Sequence, residues 1–326
     1  MFLTSIISTI SEVTNSAVGT TKIGYDLAFP NLGIFIKNLQ NTIRLGNFTI
    51  AFYGIIISIA MLIGFTIVTY YAKKKNINDD IFYDVFIIII LLGIIGARAY
   101  YVIFKWDYYQ IRPYEILDIR AGGLAVFGGI ILAIIGIIIY CIVKKINVIK
   151  VLDLTMIGLT IGQAIGRYGN FFNMEAYGDY TNNLVAMRLR EEYLDPANIT
   201  WVQSLNVIEE EGIRYIQAHP TFFYESCLNI VLFIVLIYLI NKKYKFDGQL
   251  LATYLIGYGI IRAIVESFRT DSLMLGNFKV SQLVAIICIV IGVTIYILNI
   301  KKIKPFDMVH EIPESMKKKN EEKDEE

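Results

Sequence analysis

The chain has 326 residues, 56% of them apolar and only 18% charged, with a formal net charge of +1 and a mean hydropathy of +0.55. An ordinary soluble domain is about 45–50% apolar, so the composition points to a membrane protein, and the balanced charge leaves no basic field for nucleic acid. The two histidines exclude a histidine-rich metal centre, and Cys141, Cys227 and Cys288 lie in or beside apolar stretches without CxxC spacing. Neither a disulfide framework nor a zinc site is suggested, and no metal or cofactor is expected.

Residues 1–45 read as an extracytoplasmic N-terminal arm. Met1–Ile10 lacks the basic region and small-residue cleavage site of a signal peptide. Tyr25 to Ile36 is expected to lie along the membrane interface. Residues 46–300 then carry seven apolar segments, each near the roughly 20 residues needed to cross about 30 Å of hydrocarbon. The predicted spans are 48–72, 81–104, 121–143, 150–173, 220–240, 248–268 and 279–300. The fold class is therefore an all-α integral membrane protein of seven transmembrane helices.

Lysine clusters follow the first, third, fifth and seventh spans: Lys73-Lys74-Lys75, Lys144-Lys145, Lys242-Lys243 with Lys245, and Lys301-Lys302 with Lys304. The loop 174–218 has no lysine and carries Glu191, Glu192, Glu209, Glu210 and Glu211. By the positive-inside rule the lysine ends are cytoplasmic, the N-terminus faces out and the C-terminus in. The 174–218 loop is too long for a simple connection and predicts a small extracytoplasmic subdomain between the fourth and fifth spans, a cap or a substrate guide. Residues 301–326 are a charged cytoplasmic tail, expected to be disordered from Glu314 onward.

Polar residues concentrate at the outer ends of the even-numbered spans. A charge near the bilayer centre costs at least about 2.5–3.5 kcal/mol on insertion scales, so each needs a partner, water or a function. Tyr53 lies early in the first span and Arg98 late in the second. The third opens on Ala121-Gly122-Gly123-Leu124-Ala125-Val126-Phe127-Gly128-Gly129, a pattern for a broken or closely packed helix entry. The fourth ends in Gly166-Arg167-Tyr168-Gly169-Asn170-Phe171-Phe172-Asn173-Met174-Glu175-Ala176-Tyr177-Gly178, with Arg167 and Asn170 on one face. Pro220 suits the first turn of the fifth, which puts His219, Tyr224 and Glu225 near the outer interface. In the sixth, Tyr258, Arg262, Glu266 and Arg269 share one helical face, and Arg262–Glu266 has ion-pair spacing. Arg98, Arg167, Arg262 and Arg269 are expected to surround one outward cavity. Planar guanidinium groups bind phosphate oxygens in pairs, so the ligand read from these residues is an anionic phospholipid. A polytopic transporter or channel for an anionic substrate is the alternative, as is a non-catalytic assembly factor whose polar residues only lock the bundle. The lack of evident repeats and the outward bias of the polar residues weigh against transport.

These segments resemble the prolipoprotein diacylglyceryl transferase family over about residues 46–300. The carrying motif is Gly166 to Gly178, similar to the family's G-R-x-G-N-F-x-N signature. Ile50 to Gly54, Gly96-Ala97-Arg98, Asp118 to Gly129, His219-Pro220 with Tyr224-Glu225, and Tyr258 to Arg269 support it. The resemblance implies a multi-pass enzyme of the bacterial inner membrane with its active site facing the outer leaflet. It implies two substrates, phosphatidylglycerol and a prolipoprotein signal peptide with its lipobox cysteine. The diacylglyceryl group would pass to that thiol, giving a thioether and glycerol 1-phosphate. It implies Arg167 and Arg262 as headgroup-binding and leaving-group residues, Asn170 and Tyr53 as orienting groups, and Glu266 as the positioner of Arg262. Glu175 and Gly178 would shape the outer mouth, with Arg98, Tyr258 and Arg269 as further lipid contacts. Many members carry a histidine, proposed as general base, where this chain has Phe127. A thiolate assisted by nearby arginines, or His219 as base, would replace it.

Overall fold

The computed structural model describes residues 24–46, 48–119, 122–272, 274–275 and 278–299. The first half of the expected N-terminal arm, the last lysine cluster and the charged tail lie outside the described residues. Seven helices among those described are long and apolar enough to cross a membrane. They are α1 (Phe52–Lys74), α2 (Asp80–Phe104), α4 (Val126–Lys144), α5 (Val148–Asn173), α7 (Thr221–Tyr238, continued by a π-turn to Lys243), α8 (Gln249–Phe268) and α9 (Val280–Asn299). Two short helices, α3 (Trp106–Tyr109) and α6 (Trp201–Leu205), lie in loops. The chain is a multi-pass membrane protein.

The chain divides into two compact units. Among the described residues, the first holds the chain from Gly24 to Gly64 together with Leu159–Leu239 and Ala252–Ile295. Its non-helical part is a five-stranded antiparallel sheet in the order β2-β1-β5-β7-β6. The strands are β1 (Leu27–Phe29), β2 (Ile34–Ile36), β5 (Met187–Arg190), β6 (Ile208–Glu210) and β7 (Ile213–Ala218). Gly33 takes the left-handed conformation, φ +68°, in the turn between β1 and β2. β5 alternates buried and half-buried residues, the period expected of a strand packed on one face. Leu27, Leu189, Ile216 and Ala218 pack with Phe171, Met174, Tyr177 and Phe222, joining the sheet to the ends of α5 and α7 in one apolar core. Burying each such large side chain is worth roughly 1.5–3 kcal/mol.

Tyr25 to Ile36 is thus built into this sheet and not a separate arm. Leu27 and Ala28 are fully buried, and Tyr25 stacks on Tyr215 at 4.3 Å between ring centroids. Pairing with β5 satisfies backbone groups that an isolated arm would leave to water. A separate two-stranded hairpin, β3 (Thr42–Leu45) and β4 (Phe48–Ala51), leads into α1, so the first span begins later than its hydropathy suggests.

The second unit comprises Phe65–Gly158, Ile240–Leu251 and the chain from Tyr296. Here α2 and α4 pack through glycines: a Cβ on Gly129 would meet the Gly93 carbonyl oxygen at 2.8 Å, and one on Gly96 would collide with the Gly128 carbonyl. Small residues let two backbones approach closely where the hydrophobic effect no longer drives association. The expected broken entry is present: Gly122 and Gly123 both have positive φ, and helix begins only at Val126. At the lysine-marked end, fully buried Asp153 of α5 accepts from Gly248 N and Leu251 N, each at 2.8 Å, and from Tyr244 Oη at 2.7 Å. It thereby satisfies amides at the start of α8.

Candidate active site

The residues that carry the site all belong to the first unit. The fourth-span motif is helical through Asn173. Met174 and Ala176 then take left-handed backbone conformations, φ +51° and +57°, and end the helix. The Glu175 amide donates to Asn170 O at 3.1 Å, folding the chain back on α5. That places the Glu175 carboxylate where Asn170 Nδ2 donates to it at 2.8 Å and Asn173 Nδ2 at 3.3 Å. Arg167 Nη1 donates to Asn170 Oδ1 at 3.4 Å, so the cluster runs Arg167–Asn170–Glu175.

Glu225, in the second turn of α7, stands at the centre. Its side chain is 2% exposed, with one oxygen 2.6 Å from Arg167 Nη2 and the other 3.5 Å from Arg262 Nη1. The Arg167 contact is a close ion pair without linear hydrogen-bond geometry. Arg262 Nη2 in turn lies 2.8 Å from Glu266 Oε2, the i,i+4 pair expected on α8, and donates to Ser281 Oγ of α9 at 3.0 Å. A buried carboxylate is tolerated when it is paired, because desolvation otherwise exceeds any attraction. Two guanidinium groups and two buried carboxylates thus form one nearly neutral network drawn from α5, α7, α8 and α9.

Sequence reasoning puts Glu225 near the outer interface without assigning it to the site. The signal that finds it is a lone carboxylate inside an otherwise apolar span, which requires a cation nearby. The same pairing alters the expectation of unopposed arginines. Both are held by carboxylates, and each keeps an Nε–H with no protein acceptor among the described residues. A guanidinium N–H of this kind pairs readily with a phosphate oxygen.

Around this network the other residues fall into place. The Tyr53 ring lies against Gly169, where a Cβ would meet it at 2.6 Å. Tyr258 stacks on Tyr254 at 5.5 Å, and Tyr254 Oη accepts from Gln163 at 2.8 Å. Gly178 sits in a cross-connection: its amide donates to His219 O at 2.9 Å, it bridges to Arg269, and a Cβ there would meet His219 Cβ and Phe268 O at 2.8 Å. His219 Nδ1 is 3.2 Å from Tyr224 Oη, and its ring lies 4.9 Å from that of Phe268. Burial lowers the His219 pKa below the ordinary value, with Asp179 opposing, so the ring is neutral at pH 7.

Two further expected cations have partners of their own. Arg269 Nε and Nη2 donate to the two oxygens of Asp271 at 2.9 and 2.8 Å. Arg98 belongs to the second unit and donates to the carbonyls of Glu115, Ile116, Gly122 and Gly123 at 2.6–3.0 Å. Arg98 therefore organises the loop before α4, because a guanidinium fork can satisfy several backbone oxygens at once. Phe127 is in the first turn of α4 in the same unit and is 40% exposed.

A sequence model of the prolipoprotein diacylglyceryl transferase family matches residues 40–298. The chain belongs to this family. It is 41% identical over 254 residues to the phosphatidylglycerol–prolipoprotein diacylglyceryl transferase of Finegoldia magna, covering 78% of this chain and 93% of the relative. The corresponding protein of Clostridioides difficile is 38% identical over 78% of this chain and 93% of its own length. That of Bacillus cytotoxicus is 39% identical over 79% and 91%. The matched region includes Arg167, Glu225 and Arg262.

Proposed function

We propose that this protein transfers the diacylglyceryl group of phosphatidylglycerol to the cysteine thiol of a prolipoprotein lipobox. It thus carries out the first step of lipoprotein maturation. Family membership selects this reading over transport or passive assembly. The observation that carries the mechanism is the pair Arg167 and Arg262, joined through Glu225 with an N–H edge of each left open.

In the reaction the thiol sulfur attacks the glycerol carbon that bears the phosphate. The carbon–oxygen bond breaks, and its electron pair leaves with glycerol 1-phosphate. The sulfur–carbon bond becomes the thioether, and the thiol proton passes to a base or to water. Negative charge accumulates on the departing phosphate, where pre-oriented guanidinium groups stabilise it most. Arg167 and Arg262 supply that stabilisation. Asn170 and Tyr53 orient the headgroup, Tyr258 lines the same face, and Glu266 holds Arg262. Glu175 and Gly178 shape the mouth. Arg98 and Arg269 bind lipid only through the N–H groups their present partners leave. His219, neutral at working pH, is the proton acceptor in place of a histidine at position 127. The protein works in the bacterial inner membrane with this site facing the outer leaflet, a reading supported by the lysine clusters at the opposite helix ends.

Purified protein in detergent, given phosphatidylglycerol and a lipobox peptide, is expected to yield a peptide heavier by one diacylglyceryl group, read by mass spectrometry. No product with a correctly inserted protein would overturn the assignment.

A further inference from the structure

The segment that enters α9 reaches back to the site at two points. Lys279 Nζ donates to Glu266 O at 2.7 Å and to Arg269 O at 3.1 Å, at and just beyond the end of α8. Carbonyls at a helix C-terminus lack intrahelical donors, and a cation there also meets the negative end of the helix dipole. Two residues further on, Ser281 Oγ accepts from Arg262 Nη2 at 3.0 Å. The Arg262 guanidinium is thus held from three helices: by Glu225 of α7, Glu266 of α8 and Ser281 of α9.

The three contacts are unequal. Glu225 approaches Nη1 at 3.5 Å and Glu266 approaches Nη2 at 2.8 Å, so the carboxylates alone pull the fork toward its own helix. Ser281 supplies an uncharged acceptor, from another helix, at the same Nη2 that Glu266 approaches. Without it Nη2 keeps only Glu266 and Nη1 only the long Glu225 contact, so the plane of the guanidinium is less tightly fixed. A hydroxyl suits this task because it orients the fork without adding negative charge beside a phosphate.

We propose that Ser281 is a positioning residue for diacylglyceryl transfer, acting through Arg262, and that Lys279 sets its register by tying the entry of α9 to the end of α8. The proposal rests on Arg262 serving the phosphate. Orientation matters more as charge develops in the transition state than in the bound ground state, so the loss should fall on turnover.

The test is steady-state kinetics of the detergent-purified protein with phosphatidylglycerol varied at a fixed, saturating lipobox peptide. Ser281→Ala is expected to lower kcat about 10-fold while KM for phosphatidylglycerol changes less than about 3-fold. Ser281→Thr, which keeps the hydroxyl, is expected to recover most of the rate. If Ser281→Ala fails to insert, Ser281→Cys keeps the volume with a weak acceptor and is expected to show the same split. Wild-type kcat in Ser281→Ala or Ser281→Cys would overturn the proposal. So would equal losses in Ser281→Ala and Ser281→Thr accompanied by equal falls in Tm. Arg262→Ala runs alongside: full activity there would overturn the phosphate reading itself, whereas loss there with unaffected Ser281 variants overturns only the positioning role.

Discussion

Arg167 of α5 and Glu225 of α7 meet at 2.6 Å, with the Glu225 side chain only 2% exposed. The contact couples the family-signature helix to a carboxylate that also reaches Arg262. One acid therefore sets the separation of the two cations proposed to serve the phosphate. Glu225→Gln keeps the shape and removes the charge. Breaking a buried ion pair by removing one partner costs about 3–5 kcal/mol. The expected outcome is a lower Tm and at least about a 10-fold lower kcat/KM, measured on the purified protein. Unchanged kinetics would show that the arginines are placed without it.

Arg167→Ala and Arg262→Ala are expected to lose roughly 10²–10³-fold in kcat, the range seen when one pre-oriented donor is removed from a developing negative charge. Membrane insertion should survive. Arg→Lys is expected to recover little, because an ammonium cannot present two parallel N–H groups. Full activity in both alanine variants would sink the mechanism.

Gly178 has no room for a side chain: a Cβ would sit 2.8 Å from both His219 Cβ and Phe268 O. Gly178→Ala must push apart the ends of α7 and α8, where the β-bridge to Arg269 forms. Overpacking of this kind costs about 1–3 kcal/mol. The expected result is loss of activity with a Tm lowered by a few degrees. An active, fully stable alanine variant would show that the segment yields.

His219 gives a pH dependence with a defined sign. Its folded pKa is lowered by burial from the ordinary 6.5, so just below that value the unfolded chain binds more protons than the folded one. Stability then rises with pH. The contribution is complete above the ordinary value and is lost as pH falls through the lowered one. Tm should drop between pH 7 and pH 5, and His219→Gln should flatten that slope. The same variant should lose the acid limb of the pH–rate profile, since a removed base abolishes its limb. An unchanged profile and rate would eliminate His219 as proton acceptor.

Arg98→Ala is expected to act through its loop. Four backbone carbonyls around residues 115–123 lose their guanidinium donor. Limited proteolysis should then cut that loop faster, while KM for phosphatidylglycerol moves less than about 3-fold. A large KM change without loop exposure would restore Arg98 to the headgroup.

Much of this protein is legible in its sequence. Hydropathy runs locate seven spans to within a few residues, because a bilayer demands an apolar length and internally bonded backbone. Helical spacing pairs Arg262 with Glu266 and sets Arg167 beside Asn170, because i,i+3 and i,i+4 neighbours are determined by the helix itself. Three features needed the tertiary structure. Glu225 is 58 residues from Arg167 and 37 from Arg262, and no local period relates them. Tyr25 to Ile36 pairs with Met187–Arg190 across the whole first half of the chain, and a strand partner of that separation leaves no trace in either segment alone. Arg98 and Arg262 look alike as arginines near the ends of apolar spans. Only packing decides that one spends its fork on a loop's carbonyls, while the other is held by two carboxylates and a serine.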